Sequence, residues 1–292
     1  MSARYEWMLL PAVGTFLFGT FTSRAAVQRG LQVAPLALLT MTFSLVLTIL
    51  LALCLAPRAL FQQWQADSTV VALVGGAAGG IGLCFSFTAL RQRATGPVTT
   101  ISAMSIVVPI ALGLIAGWDA APGLTKGIGA ALTLAGTVTI NIGKSPRPEG
   151  ERFHWIGLAL GALLCFGISQ ASQKYITVIH PQQGHEARYG FMASYYIAAS
   201  VTLAIYVLTR SQKVSARHLP YAFCLGINSL VQFVSMLMLL QHVSTAVVYI
   251  TFTGGGIILV LLVSSLVLEE RYKPAVWLGC ILGAAGIVLM RL

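Results

Sequence analysis

Long apolar runs without charge constrain this sequence more than any other feature. The stretch TFTGGGIILVLLVSSLVLEERY, from Thr251 to Tyr272, carries no charge before Glu269. A helix needs about 20 apolar residues to cross the hydrocarbon layer of a membrane, which is about 30 Å thick. Only 9% of the 292 residues are charged, whereas soluble domains carry about 25% charged residues. With a mean hydropathy of +0.83, these runs predict an integral membrane protein.

Runs of this kind recur along the whole chain and are joined by short polar loops. We predict an all-α integral membrane fold with ten transmembrane helices and no separate soluble domain. Tryptophans mark the ends of several runs, where the indole ring favours the membrane interface. The predicted spans are 8–27, 33–56, 69–90, 96–117, 123–143, 155–177, 189–209, 219–240, 244–268 and 274–291.

The two halves of the sequence resemble each other across the central link KSPRPEGE. Each half, residues 1–145 and residues 150–292, contains five predicted spans. Because five is an odd number, the second half must enter the membrane from the opposite side, which predicts an inverted repeat. At one constant offset the alignment pairs Thr95 with Thr245, Val98 with Val248, Asp119 with Glu269, Gly129 with Gly279, Leu132 with Leu282 and Gly136 with Gly286.

Two segments carry a resemblance to a known family. The segment LVLEERYKPAVWLGCILGAAGIVL joins an apolar span, a turn with glutamates and a helix with spaced glycines. The segment VVPIALGLIAGWDAAPGLTKGIGAALTLAGTVTI repeats the pattern in the first half, with Pro109 near its start. Both resemble EamA-type repeats of the drug/metabolite transporter superfamily. The resemblance implies a ten-helix inner-membrane exporter of small metabolites, with a cavity formed by spans one to four and six to nine.

Basic residues are divided unequally between the two sets of loops. Eleven lie in the set that includes Arg29, Lys144 and Arg210, and five lie in the other loops and the termini. Cytoplasmic loops are enriched in Lys and Arg, so we expect the first set to face the cytoplasm and both termini to face outward. Because the net charge of +10 lies at span ends and forms no cluster, we expect membrane lipid and not nucleic acid as a partner.

The distribution of acids and nucleophiles excludes several functions. None of the eight acids lies within a predicted span. A buried carboxylate is the usual proton carrier and cation partner in pumps, so we expect neutral, zwitterionic or anionic cargo. The sequence contains no metal-ligand spacing, phosphate-binding loop or nucleophile motif. We therefore expect no enzymatic activity, no cofactor and no metal, and we interpret the five cysteines as packing residues.

Polar side chains at helical spacing provide the main candidates for a substrate site. In span eight, Asn228 and Gln232 stand one turn apart, and in span nine Tyr249 follows Thr245 by one turn. Thr99 lies on a similar face of span four. Amides that faced lipid would lack hydrogen-bond partners, so these faces should point inward. They line a cavity or, alternatively, form hydrogen bonds between helices.

Two cations and a tyrosine complete the candidate substrate-binding residues. Arg24 and Lys174 each lie about one turn from the end of a span, and Gln170 precedes Lys174 by one turn. Each cation contacts an anionic group at the cavity mouth or, alternatively, reaches towards the membrane surface. Tyr195 supplies a ring with a hydroxyl group in span seven, for either substrate contact or packing.

Clusters of glycine interrupt spans three and nine at Gly75–Gly82 and Gly254–Gly256. Small residues let helices approach closely in lipid, and they can also act as hinges in transporters. The GxxxG motifs that begin at Gly123 and Gly279 are packing faces or dimer faces. The second alternative would make the protein a homodimer.

Taken together, the residues and the resemblance predict a secondary transporter of small solutes, with amino acids or related metabolites as the leading class. A flippase for lipid or polyprenyl phosphate is the alternative, and it would require a lateral opening to lipid. A membrane scaffold without transport is the third hypothesis, although a scaffold needs no paired inward-facing polar stripes.

Overall fold

The computed structural model describes residues 9–55, 66–92, 101, 104–119, 123–144, 154–179, 185–267 and 272–289. Ten α-helices form within these residues, and two of them are preceded by short 3-10 turns at Met104–Ile106 and Ala216–His218. The helices are α1 Leu9–Gln28, α2 Val33–Leu55, α3 Ala66–Gln92, α4 Val107–Ile115, α5 Leu124–Lys144, α6 His154–Ile179, α7 His185–Thr209, α8 Leu219–His242, α9 Thr245–Val267 and α10 Pro274–Leu289.

An all-helical chain is therefore confirmed for the residues that the structure describes. Six helices are long and apolar enough to cross a membrane, namely α2, α3, α6, α7, α8 and α9. Shorter apolar helices include α4, α5 and α10. Large apolar side chains such as Leu50, Val201 and Leu266 lie on the outer surface of the bundle, which suits contact with lipid tails. These features are those of a multi-pass membrane protein.

Nine of the ten helices begin and end within four residues of the predicted spans. The fourth differs, because the predicted span was 96–117 and α4 covers only Val107–Ile115 after its 3-10 turn. Residues 96–100 and 102–103 of that span lie outside the described residues. α4 ends where Gly117 adopts a φ of 69°. The amide of Trp118 then donates to the carbonyl of Gly113 at 2.8 Å, which is a glycine-based helix cap that turns the chain back.

Glycines bring α5 and α10 into backbone contact. A β-carbon on Gly136 would collide with the backbone of Gly279, and one on Gly286 would collide with the backbone of Gly129. Residue numbers rise along α5 as they fall along α10, so the two helices run antiparallel. At this contact the hydroxyl of Thr133 donates to the carbonyl of Gly283 at 3.4 Å.

The glycines of α3 pack against α6 and α7 in the same manner. A β-carbon on Gly75 would collide with Ser172, and one on Gly82 would meet the ring of Phe166 at 2.9 Å. A β-carbon on Gly76 would collide with the carbonyl of Tyr195 on α7. α3 therefore lies in close contact with two helices of the second half because it carries almost no side chain on that side.

The three glycines of α9 serve packing as well. A β-carbon on Gly254 would come within 2.6 Å of Thr133 on α5, and one on Gly256 would come within 2.6 Å of Phe16 on α1. The helix continues without a break from Thr245 to Val267. The structure thus shows the packing role predicted for these glycines, and they do not interrupt the helix.

The bundle has two ends, which we call the α1–α2 face and the α8–α9 face. The α1–α2 face is the end at which α1 stops at Gln28 and α2 starts at Val33. The α8–α9 face is the end at which α8 stops at His242 and α9 starts at Thr245. α1 and α8 run antiparallel, since Leu9 and Leu240 belong to one buried cluster and Ala26 and Ala222 belong to another.

Alanine substitution should lower the stability of the protein at one glycine of α5 and raise it at another. Gly136→Ala places a methyl group against the backbone of α10, and we expect a loss of about 1–3 kcal/mol of stability from the clash. Gly127→Ala is the matched control, because nothing lies within 4 Å of a β-carbon there and alanine favours a helix over glycine by about 1 kcal/mol. Thermal unfolding of the detergent-solubilised variants measures both. Equal melting temperatures for the two variants would contradict the described α5–α10 contact.

Candidate binding cavity

A cavity of about 430 Å³ lies between α1, α2, α3, α6, α7, α8 and α9. Small-molecule sites typically measure about 300–1,000 Å³. Its polar lining consists of Ser23, Thr40, Ser169, Gln170, Gln173, Tyr195, Tyr196, Asn228, Ser229, Gln232 and Tyr249. Its apolar lining consists of Val27, Val33, Leu36, Ala37, Met41, Leu83, Phe87, Phe166, Leu225, Phe233, Met236 and Phe252.

The lining is polar without being charged. Within the described part of the chain, no Lys, Arg, Asp or Glu side chain contributes to it. Carboxamides, hydroxyls and aromatic rings supply all of its polar contacts. A solute that carries a net charge would therefore find no counter-ion in the cavity, so the lining favours neutral or zwitterionic ligands.

Asn228 and Gln232 are lining residues whose whole side-chain amides have spare hydrogen-bonding capacity. They stand one turn apart on α8 and both face the cavity. Neither side chain makes a hydrogen bond to another residue in the described ranges. Gly19 on α1 leaves room for Asn228, because a β-carbon there would lie 2.9 Å from its Nδ2 atom. An unpaired amide is costly away from water, so these two groups are available to water or to a ligand.

Tyrosines of α7 form one wall of the cavity, and their hydroxyl groups are already engaged. The Tyr195 hydroxyl lies 2.6 Å from the Ser169 hydroxyl on α6. The Tyr196 hydroxyl lies 3.1 Å from the Ser229 hydroxyl on α8. The Tyr195 ring also packs edge-on against Phe233 with centroids 4.9 Å apart. Tyr195 thus offers a fixed aromatic surface more than a free hydroxyl.

Tyr249 and Gln170 form the floor of the cavity. The Tyr249 hydroxyl donates to the backbone carbonyl of Gln170 at 2.8 Å. The Gln170 side chain donates from Nε2 to the hydroxyl of Ser105 at 3.3 Å, while its Oε1 atom is buried without a hydrogen-bond partner. The floor therefore links α9 to α6 and ends the cavity towards the α8–α9 face.

The mouth of the cavity lies at the α1–α2 face. Val27 at the end of α1 and Val33 at the start of α2 both line the cavity and are both exposed. At the other end the floor residue Tyr249 is only 2% exposed. The exposed lining residues thus lie at the α1–α2 face, and the lining is buried towards the α8–α9 face.

Lys174 lies outside this lining, although the sequence suggested it as a substrate contact. Its ammonium group forms an ion pair with Asp119 at 3.1 Å and donates to the carbonyl of Leu240 at 3.1 Å. The Asp119 side chain is 12% exposed. The expectation that all acids stay at the ends of spans therefore misses a carboxylate that folds into the protein. The charge of Lys174 is neutralised within the chain in this conformation.

The remaining sequence-based candidates lie apart from the cavity or cannot be placed. Arg24 on α1 is half-buried and adjoins the lining residue Ser23, but it is not itself part of the lining. Thr99 lies outside the described residues. Sequence reasoning also missed lining residues. Gln173 could have been found, because it follows Gln170 at a spacing of three on the same helix face.

Comparisons with known proteins bear on the fold. No family model matches the sequence, and no curated protein matches it. Solved structures do match. One of them, described as "Crystal structure of protein", aligns over 99% of this chain and 96% of that chain, with a TM-score of 0.73 and 17% sequence identity. The likeness shows a shared fold and says nothing about the ligand.

Cysteine labelling in detergent tests the placement of the cavity. In a background without the five native cysteines, we expect Gln232→Cys to react readily with a water-soluble maleimide, because a cavity with this polar lining should admit water and a hydrated thiol can ionise. Val201→Cys is the control, since Val201 is 54% exposed but lies on the outer, apolar surface where micelle and lipid tails exclude water. Faster labelling at residue 201 than at residue 232 would contradict this assignment.

Proposed function

We propose that the protein is a secondary transporter of small neutral or zwitterionic metabolites, with amino acids or related compounds as the leading class. The observation that carries the proposal is the pair of unpartnered carboxamides, Asn228 and Gln232, in an uncharged cavity whose exposed lining lies at one face of the bundle. Carboxamides both donate and accept hydrogen bonds. They can therefore bind the carboxylate and the ammonium of one zwitterion without adding net charge to the site.

Helix packing supports an inverted repeat, in which residues 1–145 and 150–292 are the two copies. The bond from Thr133 to Gly283 joins residues 150 positions apart, which is the offset of the sequence repeat. Gly136 contacts Gly279, and their equivalents at that offset, Gly286 and Gly129, contact each other as well. A local two-fold axis between α5 and α10, which run antiparallel, would produce this pattern of contacts.

Other helix contacts follow the same exchange of halves. In the proposed repeat, α1 corresponds to α6, α2 to α7, α3 to α8 and α4 to α9. The contact of α1 with α8 thus corresponds to that of α6 with α3, and the contact of α2 with α8 corresponds to that of α7 with α3. α1 also packs on α9 as α6 packs on α4. A repeat of this kind supports ten crossings of an inner membrane, with the binding site near the midplane where the copies meet.

Alternating access is the mechanism that this arrangement favours. A cavity that is open at one face and closed at the other binds its solute from one side, and a rocking motion of the two halves would open it to the other side. The loops at the α1–α2 face include Arg29 and Arg210, which belong to the more basic set. The excess of basic residues assigns this face to the cytoplasm, so the described conformation would load its cargo from the inside, as an exporter does.

One observation favours a flippase as the second candidate. A second cavity of about 430 Å³ lies between α1 and α8, lined by apolar residues such as Phe18, Ile227 and Val231. Asn228 belongs to the lining of both cavities. A lipid could place its polar head beside Asn228 and its tail in this groove. Dithionite quenching of fluorescent lipids in proteoliposomes tests this candidate, and rapid loss of inner-leaflet fluorescence would favour it over the transporter.

A thermal-shift screen of the purified protein against a panel of metabolites tests the proposed function. We expect a zwitterionic amino acid or a related compound to raise the melting temperature, because a ligand that binds only the folded state stabilises it. No stabilisation by any neutral or zwitterionic metabolite, together with stabilisation by a lipid, would reject the proposal.

The identified ligand then tests the two carboxamides. In Asn228→Ala/Gln232→Ala we expect binding to weaken about tenfold to a hundredfold, since each lost hydrogen bond costs about 0.5–1.5 kcal/mol. Ser235→Ala is the control, because Ser235 lies on the same helix and does not line the cavity. Unchanged affinity and uptake in the double variant would refute the site assignment.

A further inference from the structure

We infer that the buried ion pair between Asp119 and Lys174 is a latch that keeps the α8–α9 face closed and must break before the cavity can open to that face. The inference rests on the proposed transport function, because it assumes that the cavity opens alternately to the two faces. It adds the residues that hold one of the two faces shut.

The latch lies directly beneath the floor of the cavity. On α6, Gln170 and Gln173 line the cavity, and Lys174 follows at once. On α8, Met236 lines the cavity, and the carbonyl of Leu240, one turn further on, accepts from Lys174. Each of these helices thus carries a closing contact between the cavity and the α8–α9 face.

The chemistry of the helix ends suits both charges. The amide of Thr245 at the start of α9 donates to Asp119 at 3.2 Å, and helix starts favour negative charge. Leu240 lies in the last turn of α8, where carbonyls lack helical partners and favour positive charge. The hydroxyl of Thr177 adds a contact to the carbonyl of Leu240 at 3.4 Å. The pair therefore joins α6 to the junction of α8 and α9.

The local fold of the first half aims the carboxylate at this junction. The glycine cap at Gly117 reverses the chain after α4, and the amide of Asp119 donates to the carbonyl of Gly113 at 3.2 Å. Gly113 leaves space for the carboxylate, since a β-carbon there would lie 3.0 Å from its Oδ2 atom. Next to it, the Trp118 ring packs on Tyr175 of α6 with centroids 5.6 Å apart.

The pair connects the two halves of the chain, and this gives it a conformational role. Asp119 belongs to the first half, whereas Lys174, Leu240 and Thr245 belong to the second. If the halves rock to open the α8–α9 face, the Asp119 contacts must separate. Loss of one partner leaves a buried charge unpaired, which disfavours the closed arrangement. In the sequence repeat, Arg24 is the equivalent of Lys174, and Glu269 is the equivalent of Asp119. Glu269 lies outside the described residues.

Reciprocal cysteine accessibility tests the latch in the full-length protein in detergent. Two reporters are placed separately in a cysteine-free background. The first is Val248→Cys, at a residue that is fully buried near the α8–α9 face. The second is Ala37→Cys, at a residue that lines the cavity towards the α1–α2 face. In Asp119→Asn and in Lys174→Gln, we expect maleimide labelling to become about tenfold faster or more at residue 248 and slower at residue 37, because the unpaired charge shifts the equilibrium by more than a decade.

Matched controls separate the latch from a general effect of charge. Asp67→Asn and Lys126→Gln make the same chemical changes at exposed positions near the same face, and both should leave the two labelling rates unchanged. Gly113→Ala changes no charge but crowds the carboxylate, and it should shift both rates in the same directions as Asp119→Asn. It serves as the test if a charge variant fails to give a monodisperse protein.

Unchanged labelling rates at both reporters in Asp119→Asn, Lys174→Gln and Gly113→Ala would overturn the latch. Faster labelling at both reporters in these variants would also overturn it, because that result indicates a general loosening of the fold. The labelling experiment needs no substrate, so a failure of the latch can be distinguished from a failure of the proposed function. A reciprocal change in a protein that binds no metabolite would leave the latch standing and reject the substrate class.

Discussion

Helices in lipid gain no hydrophobic free energy from touching each other, so their contacts depend on close backbone approach and hydrogen bonds. The fold meets this requirement with glycines placed where two helices cross. Gly136 and Gly286 let α5 and α10 meet at backbone distance, and Gly76 does the same for α3 on α7. The contacts between the two halves lie largely at such positions. The shape of the cavity follows from them, because these contacts fix the spacing of the helices that enclose it.

The second constraint is that polar groups within the bundle need partners inside the protein. Most hydroxyl groups meet it within their own helix, as when Ser44 donates to the carbonyl of Thr40 at 2.8 Å. Asn228 and Gln232 are among the exceptions, and they line the polar cavity between the two halves. The buried charge of Lys174 is compensated by Asp119 on the side where the cavity is closed. The amides of Asn228 and Gln232 thus remain available inside the cavity, whereas the charge of Lys174 is paired beyond its floor.

Much of the fold could be predicted because membrane thickness determines helix length, and nine helices agree closely with apolar runs in the sequence. The amide pair of α8 was also predictable, since Asn228 and Gln232 share a face that cannot point into lipid. The partner of Lys174 was not. It lies 55 residues away along the chain, in a turn that reads as a loop, and only the glycine cap after α4 brings Asp119 inward. The engaged hydroxyl of Tyr195 likewise depends on a hydroxyl of another helix, which spacing within one helix does not reveal.

The central claim is that two copies of one five-helix unit enclose the cavity in opposite orientations. Sided labelling of equivalent positions tests it most directly, and Gly123 and Lys273 are such a pair, 150 residues apart and both exposed beside α5 and α10. In a cysteine-free background, Gly123→Cys and Lys273→Cys are treated with a membrane-impermeant maleimide in spheroplasts and in inverted vesicles. The account predicts that the first is labelled only in spheroplasts and the second only in inverted vesicles. Labelling of both positions from the same side would contradict it.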